Sequence, residues 1–189
     1  MLLARWVYIV IALIWFAAAL FAVNWVGTNK FTEFDPKLQL SEAIMSLSFE
    51  DEFTELLPLS EINRANIGQI YHVFQGDCFC ERLSESHRNS LNLWAQSNDV
   101  GYQQLDIREH PNLQQFIPST PAVIVTNQQG DLVYFGPYSS GFGCFENSGL
   151  VDEKIDAYFA QENPSEKAYI QSEAEGCYCE VSKPLRWPD

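Results

Sequence analysis

The stretch Ile70-Tyr-His-Val-Phe-Gln-Gly-Asp-Cys-Phe-Cys80 runs five residues of buried-strand character into two cysteines one residue apart. An apolar strand that delivers a cysteine pair to the start of a helix places thiols where their chemistry can be tuned. The partial positive charge at a helix N-terminus stabilises a thiolate and makes the sulfur nucleophilic. The helix is legible from Cys80 to about Ser97, with Leu83, His87, Leu91, Trp94 and Ala95 at helical spacing on one face.

Beyond this stretch, strand and helix signals keep alternating. Gly101 breaks the chain before a strand over Tyr102 to Ile107, Pro111 to Ile117 reads as a short helix bounded by Pro118, and Ala122 to Thr126 as a buried strand. Gln129-Gly130-Asp131 is a turn that pairs Leu132 to Phe135 back as a hairpin, and Leu150 to Phe159 forms a last helix. The order β-α-β-α-β-β-α, with a late hairpin, predicts an α/β sandwich with helices on both sheet faces. Before it, residues 27–66 read as a connector with helical segments, one opened by Pro36 after Asp35 and another turn or helix start at Ser60 to Asn63. The expected division is an anchor over 1–26, the connector over 27–66, the α/β domain over 67–162 and a cysteine-containing tail over 163–189. The polar tail has no periodicity that would support an element of its own.

From Trp6 to Val23 the chain holds eighteen consecutive residues with no charge, and the apolar character continues to Val26. That is enough to cross a hydrocarbon core of about 30 Å at about 1.5 Å per residue. Trp6 and Trp25 stand near the two ends, where interfacial aromatics are expected. Arg5 precedes the run, while acids such as Glu33 and Asp35 follow it, which puts the N-terminus in the cytoplasm and the remainder outside. Leu20-Phe21-Ala22 is a poor cleavage site, so an uncleaved anchor is expected over a signal peptide.

With 25 acidic against 11 basic residues and no basic patch interleaved with aromatics, nucleic acid is excluded as a partner. The acidic surface serves solubility and holds the domain off anionic lipid. No Ser-His-Asp order or paired acids in a recognisable frame supports hydrolase chemistry. Gly136 to Cys144 is a glycine-rich loop without a following Lys-Ser/Thr, so its glycines serve backbone conformation and not phosphate binding. Five cysteines on an exported domain point to disulfide chemistry, with one cysteine left unpaired in a monomer.

The element order, the cysteine pair after the first core strand and Thr120-Pro121 ahead of the third resemble the thioredoxin fold. Cys78 stands four residues beyond Phe74, and Pro121 follows Cys78 by forty-three positions. Thr120-Pro-Ala-Val-Ile-Val-Thr-Asn-Gln-Gln-Gly-Asp-Leu-Val-Tyr-Phe-Gly136 looks like that family's strand–turn–strand. The resemblance spans roughly residues 65–160. It is to the membrane-anchored, extracytoplasmic branch, and extends to uncharacterised thioredoxin-like groups. It implies a three-layer sandwich, a single-pass protein of a bacterial inner membrane with a periplasmic domain, and a dithiol at Cys78 and Cys80 that exchanges with protein thiols and disulfides. It also implies a cis peptide bond at Pro121, facing the dithiol and leaving a backbone edge free for a substrate peptide. His72, six residues before Cys78, falls where the family carries a buried acid that relays protons. An imidazole could do that work near neutral pH, or could be a packed strand histidine bonded to the backbone. No cofactor is implied.

The pair departs from the family's Cys-x-x-Cys. On a regular helix Cys80 would point about 200° from Cys78, at about 100° per residue, so a bond between them needs a non-helical first turn. Asp77 stands where the family is usually apolar. It would either cap the helix or raise the Cys78 pKa. His87 lies too far along the helix to share a metal with Cys80, and His110 reads as a loop residue. Cys144, Cys177 and Cys179 lie outside the fold core. The expected arrangement is a disulfide from Cys144 to Cys177 or Cys179 that ties the tail down, the alternative being a second redox pair at Cys177 and Cys179. Two further readings stand beside the oxidoreductase. One is a soft-metal protein, binding Cu(I) or, through both Cys-x-Cys pairs, zinc. The other is a non-catalytic binding module with structural disulfides only.

Overall fold

The computed structural model describes residues 2–58, 66–141, 149–160 and 167–181. The chain divides into two compact units, Met1–Phe31 and Thr32–Asp189. The first is a single helix, α1 (Leu2–Lys30), within which Arg5–Asn24 is long and apolar enough to cross a membrane, at a mean hydropathy of 2.5.

The second unit is a three-layer α/β sandwich built on a central mixed sheet. Its central strands are β2 (Gly68–Phe74), β3 (Val100–Asp106), β5 (Ala122–Asn127), β6 (Leu132–Gly136) and β7 (Tyr169–Ile170); the short β1 (Thr32–Glu33) and β4 (Ser119–Thr120) lie outside this sheet. The sheet order is β3-β2-β5-β6-β7, with β2 and β3 parallel and β5 antiparallel to both β2 and β6. Alternation along β2 explains the layering, since successive side chains point to opposite faces. Ile70 joins Leu91, Ala95, Val151 and Ile155 under α5 (Glu85–Ser97) and α6 (Leu150–Phe159). Tyr71 and Val73 join the other core, which holds Phe34, Leu40, Phe49 and Phe53.

That second core corrects the expected connector. Phe49 and Phe53 of α3 (Phe49–Glu55) and Leu40 of α2 (Gln39–Ala43) are buried with the sheet, and the Phe53 ring stacks 4.8 Å from Phe135. Thus the compact unit begins at Thr32. Pro36 does not open a helix. Asp35 and Leu38 close a turn, Leu38 takes φ 56°, and α2 starts one residue later, where the buried Asp35 carboxylate accepts from the Ser41 backbone N–H at 2.7 Å. The expected start at Ser60 to Asn63 lies outside the described residues.

The helix expected from Cys80 to Ser97 is two, α4 (Phe79–Leu83) and α5, jointed at Ser84. The buried Ser84 hydroxyl donates to the Glu81 carbonyl at 3.0 Å, offering the backbone a local partner that competes with the regular ladder. Pro111 to Ile117 contracts to a 3₁₀ turn at Leu113–Gln115. The tail is also more ordered than its composition suggests. Besides β7 it holds β8 (Glu175–Gly176) and β9 (Cys179–Glu180), each paired to an earlier segment.

Candidate functional site: two disulfides between Cys-x-Cys pairs

The first pair is set by the loop that leaves β2. Gly76 takes φ 91°, a left-handed backbone conformation that favours glycine. Glu81 reaches back across this loop, accepting from the Gln75 N–H at 2.7 Å and the Gly76 N–H at 3.3 Å, and also from the Thr120 hydroxyl at 3.2 Å. One carboxylate therefore ties the loop, α4 and the residue before Pro121 together. Sequence reasoning missed Glu81, because its partners lie in two separate segments, one of them 39 residues away.

Cys78, not Asp77, is the N-cap of α4, and it is extended (φ −87°, ψ 121°). The non-helical cap removes the opposed orientation expected of a regular helix. Cys78 and Cys80 Sγ, with Cys179 Sγ, all lie within 4.8 Å of one another. Both sulfurs of the first pair are buried, each residue 4 % exposed.

The second pair arrives on the tail. β8 pairs with β1, placing Gly176 against Thr32, and β9 pairs antiparallel with β4, placing Cys179 against Thr120. Val181 N–H donates to the Pro118 carbonyl at 2.8 Å. Between the cysteines, Tyr178 is buried edge-on to Phe34 and donates to the Ser139 carbonyl at 2.7 Å. The chain bends at Cys177 between β8 and β9, and both tail cysteines reach the first pair on either side of the buried Tyr178. Disulfides join Cys78 to Cys179 and Cys80 to Cys177, with Cα separations of 6.0 and 5.4 Å. This replaces the expected staple from Cys144 to the tail. Both tail cysteines are taken by the first pair, and Cys144 lies outside the described residues. The Thr120–Pro121 bond is cis, and the backbone edge expected to be open beside it is filled by β9. Cys78 Sγ lies 3.8 Å from the Thr120 carbonyl; as a disulfide sulfur it carries no proton, but as a thiol it could donate there.

The two bonds differ in surroundings. Cys78 and Cys179 border a cleft of about 320 Å³, lined also by Gln75, Asp77, Arg108 and Gln114. Cys80 and Cys177 border a crevice of only about 10 Å³, walled by Leu83, Pro121, Tyr138 and Tyr178, although Cys177, like Cys179, keeps part of its surface exposed. Arg108 is the cation of the cleft. Its hydrogen bonds to Asp106, with Nε 2.9 Å from Oδ1, hold that carboxyl below the usual range.

His72 sits on the face of β2 opposite Tyr71, engaged at both ring nitrogens. Nε2 is 2.7 Å from Asn92 Oδ1, an acceptor only, so Nε2 carries the proton. Nδ1 then accepts from the Tyr138 hydroxyl at 2.6 Å. Burial lowers its pKa to about 4, outweighing the Asn92 hydrogen bond that favours the charged form, with Arg88 and His87 lowering it further. The ring is neutral near pH 7 and holds Tyr138, which walls the crevice beside Cys80. His87 is buried on the same face, with Nε2 2.7 Å from Asp152 Oδ2. Burial alone would raise the Asp152 pKa, but the His87 hydrogen bond and charge, with the Gly149 N–H, hold it low. His110 ends a 3₁₀ turn, Ile107–Glu109.

Residues 48–181 match the family described as Domain of unknown function (DUF6436). No curated protein matches the chain. Among solved structures, a crystal structure of human ERp44, form I, is similar at 15 % identity and a TM-score of 0.31, over 40 % of this chain and 22 % of that one.

Proposed function

The chain belongs to the DUF6436 family, and we propose that its α/β domain is a thiol–disulfide exchange unit for protein cysteines, held at a membrane by α1 with the domain on the extracytoplasmic side. The observation that carries this reading is the redundancy of the two bonds. They span 101 and 97 residues of chain, between cysteines only two positions apart at each end. One such bond closes the long loop and restricts the unfolded chain by about 4 kcal/mol or more. The second then closes only a small ring, so stapling alone gives it little to do. Two adjacent bonds within reach of each other are, however, what disulfide exchange needs.

In the oxidising direction a substrate thiolate enters the cleft and attacks Cys179 Sγ. A substrate–Cys179 bond forms, the Cys78–Cys179 bond breaks, and Cys78 leaves as a thiolate into the cleft, where the Arg108 charge favours that form and the Asp77 carboxylate opposes it. A second substrate thiolate attacks the mixed disulfide at the substrate sulfur, giving oxidised substrate and a Cys179 thiolate. Two electrons pass to the protein, and two thiol protons pass to solvent. The Cys179 thiolate, within 4.8 Å of Cys80 Sγ, then attacks it, forming Cys80–Cys179 and expelling the Cys177 thiolate. The oxidising equivalent of the enclosed bond thereby reaches the cleft. A partner's disulfide restores both bonds by the reverse exchange.

Cys78 and Cys80 act as the core thiols, Cys179 as the sulfur attacked, and Pro121 as the cis residue that packs against the enclosed bond. With its pKa at about 4, His72 acts through Tyr138 and not as a proton carrier near neutral pH. The test is to mix the full chain, in detergent micelles, with a reduced dithiol peptide in excess. Up to two peptide disulfides should form per chain, falling to none in Cys78→Ser/Cys80→Ser. Bonds that stay closed throughout would defeat the proposal.

A further inference from the structure

Several contacts that hold the tail do not depend on its two disulfides. The pairing of β8 with β1 and of β9 with β4, the Val181-to-Pro118 hydrogen bond, and the buried Tyr178 on Phe34 involve no sulfur. Reduction therefore leaves four thiols gathered at one place, two of them on buried residues. Three of the sulfurs already lie within 4.8 Å of one another, and the fourth, Cys177 Sγ, starts in covalent contact with Cys80. A tetrahedral zinc tetrathiolate has Zn–S of about 2.3 Å, hence S···S of about 3.8 Å. Each disulfide would have to open by less than 2 Å or so to reach that spacing. Cys78, Cys80 and Cys179 thus already converge, and Cys177, next to Cys80, is the sulfur that must swing in to complete a tetrahedron.

We infer that the reduced chain binds one Zn²⁺ through Cys78, Cys80, Cys177 and Cys179. Four convergent thiolates suit tetrahedral zinc, whereas Cu(I) is satisfied by fewer soft sulfurs and would leave part of the cluster unused. The balance is simple. Two equivalents of a dithiol reductant supply four electrons and four protons to the two disulfides, giving four thiols. Zinc binding then exchanges those four protons for one Zn²⁺ with no change of oxidation state, because zinc is redox-inert. The site exists only in the reduced chain. Loss of electrons to an oxidant such as a disulfide re-forms both bonds and expels the ion.

The full chain in micelles would be reduced anaerobically with dithiothreitol, desalted, given Zn²⁺ as its sulfate, and passed over a chelating resin before metal analysis. One zinc should be retained per reduced chain and none per oxidised chain, with the four cysteines shielded from alkylation. Co²⁺ in its place should give the intense visible absorption of a tetrahedral tetrathiolate. Cys177→Ser and Cys179→Ser should each cut retention well below one ion per chain, while Cys144→Ser should leave it unchanged. Circular dichroism separates lost ligands from lost fold, and Cys179→Ser keeps the Cys80–Cys177 bond available for folding. Reduced, folded protein that retains no zinc would overturn the inference. So would equal retention by oxidised protein, by the tail variants, or with a cobalt spectrum of nitrogen or oxygen donors. Because reduction is imposed chemically, a chain that fails to exchange with protein thiols can still bind zinc, and one that exchanges can still fail to bind it.

Discussion

The Cys78–Cys179 and Cys80–Cys177 bonds are near-copies in sequence, each joining a buried cysteine to a half-buried one, and differ in the space beside them. Each links the start of α4 to the tail across about a hundred residues, yet one borders a cleft of about 320 Å³ and the other a crevice of about 10 Å³. As constraints on the unfolded chain they are nearly interchangeable; on the proposed function they differ as reagents. Loop length decides the first property and access the second.

The largest effect should come from testing their interchangeability. Removing either bond by paired Cys→Ala substitution should cost about 1 kcal/mol or less, whereas removing both should cost about 4 kcal/mol, a strongly non-additive result readable from urea unfolding of oxidised protein. Additive costs would mean that each bond constrains something different.

Next is the wall of the enclosed bond. His72 is neutral when folded, with its pKa lowered from 6.5 to about 4. As pH falls the unfolded chain takes up the proton first. Its contribution is thus complete above about pH 6.5, is lost progressively toward pH 4, and changes no further below that. The shift corresponds to about 3 kcal/mol over the window. His72→Gln should flatten the stability–pH profile there relative to the parent chain, and an unchanged slope would remove His72 from the account.

The access difference should appear as a rate. Glutathione should open Cys78–Cys179 about tenfold or more faster than Cys80–Cys177, followed by timed alkylation and peptide mapping. Equal rates would erase the distinction between cleft and crevice. The smallest effect expected is for Arg108→Ala. Losing the cleft's cation should slow alkylation of Cys78 in reduced protein near neutral pH and slow re-oxidation, each severalfold at most, since the guanidinium is solvent-screened. A pH–alkylation profile would show it.

Much of the fold was legible from short-range signals. Ile70 to Phe74, Ala122 to Thr126 and the Leu150–Phe159 helix declare themselves by local period, and the sheet follows from their order. The role of the flanking segments was not legible. Phe49 and Phe53 look like residues of a loosely helical connector until Phe116 and Phe135, more than sixty residues away, supply the surface that buries them. Tail order depends likewise on two-residue pairings too short to leave a periodic trace. Cysteine pairing is a long-range property. The Cys-x-Cys repeat at both ends was visible, but only the fold shows that the two pairs meet and bond crosswise. Glu81 and His72 gain their meaning from Thr120, Asn92 and Tyr138, none of them a sequence neighbour.

The most direct test of four cysteines working as one exchange unit is a redox titration of the full chain in micelles. It would be equilibrated in graded glutathione buffers, with each cysteine's state read by alkylation and peptide mass spectrometry. The account predicts that Cys78–Cys179 opens and closes reversibly within the range, that Cys80–Cys177 follows at more reducing poise, and that a Cys80–Cys179 species appears between. Two bonds closed at every poise, with no exchanged species, would contradict it and leave a structural domain in which the cysteines only fasten the tail.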